Sequence, residues 1–113
     1  MTWSISYSDG SANGYRFDGE RDGATFEYIP VRPEQSSTGM YSGGEPRAGR
    51  LAAPAVEALR GLVTALEANV ALHVADRMKG TGRFAVDDGS GVRTFIIQRG
   101  PELAAFDAFV AAL

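Results

Sequence analysis

The chain has 113 residues, 44% hydrophobic and 22% charged, with a formal net charge of −3. That suits one domain spanning residues 1–113 with a single core, and it offers no basic face of the kind nucleic acid needs. The absence of cysteine excludes a disulfide framework, a thiol nucleophile and a thiolate metal site.

Residues 2–8 alternate, with Trp3, Ile5 and Tyr7 on one face and Ser4, Ser6 and Ser8 on the other. This is the period-two pattern of a half-buried strand. Tyr15 and Phe17 alternate with Arg16 and Asp18, and residues 24–31 are rich in aromatic and β-branched side chains before Pro30 and Pro33. Asp9-Gly10, Asn13-Gly14, Asp18-Gly19 and Asp22-Gly23 punctuate these runs as turns. The expectation is a three-stranded antiparallel meander. Its aromatic residues Trp3, Tyr7, Tyr15, Phe17, Phe26 and Tyr28 fall at strand spacing and read as core rather than as an aromatic surface.

The N-terminal residues carry no basic segment followed by an apolar run, so no signal peptide is visible. No apolar stretch approaches the ~18 residues of a membrane span. A soluble cytoplasmic protein is expected, with no membrane partner. Ten arginines against one lysine (Lys79), with 17 alanines, follow GC-rich codons and suggest a bacterial source.

Residues 32–50, RPEQSSTGMYSGGEPRAGR, show neither helix nor strand periodicity. They hold two prolines, four glycines and four Ser/Thr hydroxyls, with only Met40 and Tyr41 as large apolar groups. A connection of this length without secondary structure is uncommon in a small domain and usually marks a working loop or a disordered one.

Pro54 then opens a helix. Val56, Leu59, Val63, Leu66 and Val70 recur at three- and four-residue steps and form one apolar stripe. The pattern fades between Val70 and Lys79, and Gly80-Thr81-Gly82 stops any helix. Residues 83–87 and 92–98 flank Asp88-Gly89-Ser90-Gly91 as a hairpin. The second strand carries Val92 and Ile96 on one face and Phe95 and Ile97 on the other, which suggests a central position. Gly100-Pro101-Glu102 begins a last helix with the stripe Leu103, Phe106, Phe109, Val110 and Leu113. The predicted fold is α+β, in the order βββ–long loop–α–ββ–α. A single antiparallel sheet of about five strands would be covered on one face by two helices.

Several segments approach known chemical motifs and then depart from them. Residues 39–44 have the two-glycine frame of a phosphate loop, but the positions for Lys and Ser/Thr hold Glu45 and Pro46. A backbone nest for a smaller anion remains, helped by Arg47 or Arg50. Asp18, Glu20 and Asp22 before Gly23 resemble half of a calcium loop, but the position of the bidentate acid holds Ile29. Gly80-Thr81-Gly82-Arg83-Phe84-Ala85 fits the loose dinucleotide pattern with its context inverted, since it opens a strand. Asp87 and Asp88 fall in a tight turn, where aspartates hydrogen-bond their own backbone.

His73 is the only histidine. With Ser36, Ser37 or Ser42 it would make a dyad oriented by Asp76, but Asp76 is spaced to face it across a helix turn, and a partly buried helix-end residue is the simpler reading. Arg77 and Lys79 are explained as cations at a helix C-terminus. In size and element order the chain resembles several groups of small bacterial proteins, some proteinaceous protease inhibitors among them. No motif is specific enough to carry residues across, and no cofactor or metal is implied.

The function expected first is a non-enzymatic binding module that presents residues 35–47 to another protein or to a second copy of itself. Met40 and Tyr41 are contact types favoured at interfaces. The alternative is an anionic-ligand protein or enzyme. In it the loop groups Ser37, Thr38 and Ser42 would act with Arg47, Arg77 or Lys79, and His73 would serve as acid or base. That reading needs the loop and residues 73–79 to share one concavity. A third possibility is a structural subunit pairing through the edge strand of the meander.

Overall fold

The computed structural model describes residues 2–113. It is α+β, built on one antiparallel sheet whose strands lie in the order β4-β3-β2-β1-β6-β7-β5. The meander is β1 (Ser4–Ser8), β2 (Gly14–Glu20) and β3 (Gly23–Ile29), followed by β4 (Arg47–Ala52). After α1 (Ala53–Ala68) come β5 (His73–Val74), the hairpin β6 (Gly82–Asp87) and β7 (Val92–Ile97), and α2 (Pro101–Ala111).

The alternation read from the sequence is realised in the register. Ile5 lies between Phe17 of β2 and Val86 of β6, and Tyr7 lies between Tyr15 and Phe84. The inward residues therefore form rows of rings across the sheet. Tyr7 stacks on Phe84 at 4.6 Å between centroids and meets Phe106 of α2 edge-on at 4.9 Å. Such pairs contribute about 0.5–1.5 kcal/mol each beyond their buried area. Leu59, Val63 and Leu66 of α1 and Leu103, Phe106 and Val110 of α2 join the same core. The opposite face of β1, made of Ser4, Ser6 and Ser8, remains half-exposed.

The sheet has seven strands rather than about five. The added β4 lies inside the segment expected to be free of secondary structure. Its sequence RAGRLA buries only Leu51, so no alternation announces it. It is held by register with β3, Thr25 opposite Arg50 and Ala24 opposite Leu51. The edge of the meander is thus covered, and β4 is the edge strand. The second addition, β5, is two residues long and pairs only with Ile96 and Ile97. Strand β7 is central only along that pair, and Val92 at its other end is exposed.

Two local expectations also change. Asp18-Gly19 is not a turn but part of β2. Trp3 occupies the space beside Gly19, where a Cβ would stand 2.3 Å from the indole nitrogen. Helix α1 stops at Ala68, and a 3-10 turn at Val70–Leu72 leads into β5. His73 is therefore a strand residue and does not face Asp76 across a helix turn. Its Nε2 lies 3.0 Å from the Leu66 carbonyl oxygen, and its ring stacks on Phe95. Arg77 and Lys79 likewise lie beyond any helix terminus. Among the described residues, no helix is long and apolar enough to cross a membrane.

Candidate functional site

The loop between β3 and β4 starts with a short 3-10 turn, Pro33–Gln35, and ends at Pro46 where β4 begins. It is fixed to the sheet by side chains of the meander. Asn13, 5% exposed, is the main fastening. Its Oδ1 accepts the Val31 N–H at 2.9 Å, and its Nδ2 donates to the Tyr41 hydroxyl oxygen at 3.0 Å and to Asp9 at 3.3 Å. The Tyr28 hydroxyl donates to the Gly43 carbonyl at 2.6 Å, and the Gly43 N–H donates to Val31 O at 2.9 Å. Position 43 must be glycine for this docking, because a Cβ there would stand 1.9 Å from Asn13 Oδ1. Within the loop, Ser36 Oγ accepts the Tyr41 N–H, Thr38 Oγ1 accepts the Met40 N–H, and Ser42 Oγ accepts the Gly44 N–H.

Fastened on both sides, the loop projects Met40, which is 84% exposed. Behind it lies an open cleft of about 750 Å³. Ala12, Ile29, Pro30, Val31 and the Tyr41 ring supply its apolar wall, while Ser11, Gln35, Ser36, Ser37 and Thr38 supply polar groups. Among the described residues, Lys79 is the one charged residue lining it. Ile29 and Tyr41 are 52% and 41% exposed, so large apolar side chains reach solvent around this mouth.

The structure thus brings Ser37, Thr38, Tyr41 and Lys79 to one concavity, with Met40 beside it. The other site candidates lie elsewhere. Arg47 stacks over the Tyr28 ring at 5.2 Å and donates to the Leu113 carbonyl at 2.8 Å, tying the start of β4 to the end of the chain. Arg77 donates to Ser8 O, to Asp9 O at 2.5 Å and to Thr81, and so fastens the turn before β6 to the end of β1. His73 sits between Leu66 and Phe95, Arg50 pairs with Glu20, and Ser42 hydrogen-bonds within the loop.

Asn13 and Gly43 were not candidates from sequence. Asn13 reads as a turn residue and Gly43 falls inside the 39–44 frame, and the bond between 13 and 41 joins segments far apart in sequence that no local pattern links.

No known protein family, curated protein or solved structure matches this chain. The site is therefore read from its own geometry.

An ionisable pair lies at the edge of the core. The Tyr7 hydroxyl donates to the Asp107 carboxylate of α2. Burial raises the Tyr7 pKa, and the bond to Asp107 raises it further. Burial also raises Asp107, partly opposed by the bond from Tyr7. At the β6–β7 turn, Asp88 accepts from Ser90 and pairs with Arg93 at 2.9 Å, which lowers its pKa to about 2. Asp88 is thus fully ionised at neutral pH and occupied by its own turn.

Proposed function

We propose that this protein is a small non-enzymatic interaction module whose binding surface is the 32–50 loop and the cleft behind it, acting in a reducing, cytoplasmic setting. The observation that carries the reading is the preorganised exposure of Met40. An apolar side chain is held out to solvent by a loop fastened at Tyr41 and Gly43, with Ile29 and the Tyr41 ring beside it. A loop ordered before binding loses little conformational freedom on binding. Met and Tyr are enriched at interface cores, and an adaptable thioether fills irregular gaps in a partner surface.

The partner is another protein or a second copy of the chain. Met40→Asp tests this directly, because Met40 contributes little to the core. Sedimentation equilibrium and affinity capture with the purified protein are expected to show self-association or a captured partner lost in Met40→Asp, with an unchanged Tm. Equal binding by both proteins would refute the reading.

A second reading, a small anionic-ligand protein, is favoured by one observation: Lys79 and the hydroxyls of residues 36–38 line the same cleft. It predicts thermal stabilisation by phosphate, nucleotides or small carboxylates that disappears in Lys79→Ala. No stabilisation by any of them would remove it.

A further inference from the structure

The cleft behind the loop has a composition that specifies more than general stickiness. Its wall is apolar, its rim carries hydroxyls, and its one charged group is the Lys79 ammonium. Among the described residues no carboxylate pairs with Lys79, and of the cations without an acidic partner it is the one that lines the cleft. Asp9, behind the cleft at the β1–β2 turn, is engaged by the Ser11 and Asn13 N–H groups and by the Asn13 amide. It is not among the residues lining the cleft.

An inorganic anion would use the lysine and leave the apolar wall of Ile29, Pro30 and Val31 wet. A purely apolar segment would cover the wall and bury the lysine without a partner, which costs free energy. Only an occupant that brings both kinds of group satisfies both parts of the site. The volume, about 750 Å³, lies in the range of small-ligand pockets and leaves room for a few side chains.

Resting on the interaction reading above, we propose that the cleft receives an extended segment of a partner protein carrying an acidic side chain next to an apolar one. The carboxylate meets Lys79 and the hydroxyls of Ser37 and Thr38, and the apolar side chain lies against Ile29, Pro30, Val31 and the Tyr41 ring. Met40, held out to solvent beside Tyr41, gives the partner a further apolar contact outside the cleft. The charge gives register and selectivity, and the apolar contact gives most of the affinity.

The test is selection from a random-peptide display library on immobilised wild-type protein, Lys79→Glu and Met40→Asp, with the enriched peptides sequenced. Wild type is expected to enrich peptides pairing Asp or Glu with a neighbouring apolar residue. Lys79→Glu is expected to lose that preference and to favour Lys or Arg instead. A peptide taken from the wild-type selection is expected to bind Lys79→Ala about fivefold more weakly, as for one ion pair at a partly exposed position.

Peptides that enrich on wild type and disappear on Met40→Asp, but show no acidic preference or keep it on Lys79→Glu, would overturn this inference and leave the interaction reading standing. An absence of any enriched peptide would overturn both. Lys79-dependent thermal stabilisation by free acetate or inorganic phosphate without peptide enrichment would overturn the inference in favour of a small anionic ligand.

Discussion

Removal of the Asn13 side chain is the sharpest perturbation of the loop. In Asn13→Ala the Val31 N–H loses its acceptor at 2.9 Å, and the Tyr41 hydroxyl and Asp9 lose a donor. Asn13 is buried, so water does not freely replace it. Leaving a buried donor unsatisfied costs about 1–3 kcal/mol, and all three bonds are part-buried, so each is expected to cost about 1 kcal/mol or less. The sum is about 2–3 kcal/mol. For a domain of this size that corresponds to a Tm lower by roughly 8–12 °C. Thermal unfolding followed by circular dichroism measures the loss, and amide hydrogen exchange locates it. The Val31 and Gly43 amides are expected to exchange faster, while those of β1 and β6 change no more than global stability requires. A Tm change within about 2 °C of zero, or protection at Val31 equal to wild type, would refute the account of Asn13 as the fastening of the loop.

Gly43→Ala acts on the same contact from the other side, since its Cβ would stand 1.9 Å from Asn13 Oδ1. It is expected to destabilise the wild type clearly and to cost much less in an Asn13→Ala background, where only Pro30 Cβ, at 3.0 Å, still crowds it; additive losses in the double mutant would show that the two positions are not coupled. Tyr7→Phe gives a pH-dependent loss. Burial raises the Asp107 pKa in the folded state, so the associated stability is present below the ordinary carboxylate range and is lost as pH rises through the raised value. The Tyr7 bond opposes that rise. Its removal pushes Asp107 higher still, and the Tm gap between Tyr7→Phe and wild type is expected to be widest at neutral pH and to narrow in acid. An NMR titration of the Asp107 carboxyl checks the direction, and a gap constant with pH would contradict it.

What the sequence discloses follows from how local each signal is. The meander is legible because Tyr15, Phe17, Phe26 and Tyr28 alternate and because Asp22-Gly23 places a tight turn between β2 and β3. The helices are legible because Leu59, Val63 and Leu66, and then Leu103, Phe106 and Val110, recur on one face. Strand β4 is hidden because Ala48 and Gly49 have little intrinsic strand preference, and its conformation is imposed by pairing with β3. Strand β5 is too short for any period. The loop drew attention by its composition, and Met40 and Tyr41 stood out within it as its only large apolar side chains. Its fastening did not, since an Asn beside a Gly looks the same in sequence whether its side chain holds a distant segment or only its own turn. The sequence places Lys79 at a helix end, whereas α1 stops at Ala68 and the intervening 3-10 turn and β5 carry the chain round to the loop.

The position of β1 bears on how this chain is made. It is the first strand in sequence but lies in the middle of the sheet, between β2 and β6. Strands β1 to β4 pair only with sequence neighbours on that side, so they can zip together as they leave the ribosome. The other edge of β1 stays open until residues 82–87 have been synthesised, because its partner there is β6. During that interval the backbone groups of Ser4–Ser8 are unpaired along one side, and the Tyr7 ring lacks the cover of Phe84 and Phe106. The nascent chain therefore passes through a stage with an adhesive edge and an uncovered aromatic row. Closure of the β1–β6 seam joins residues far apart in sequence, the kind of contact whose loop-closure entropy slows folding.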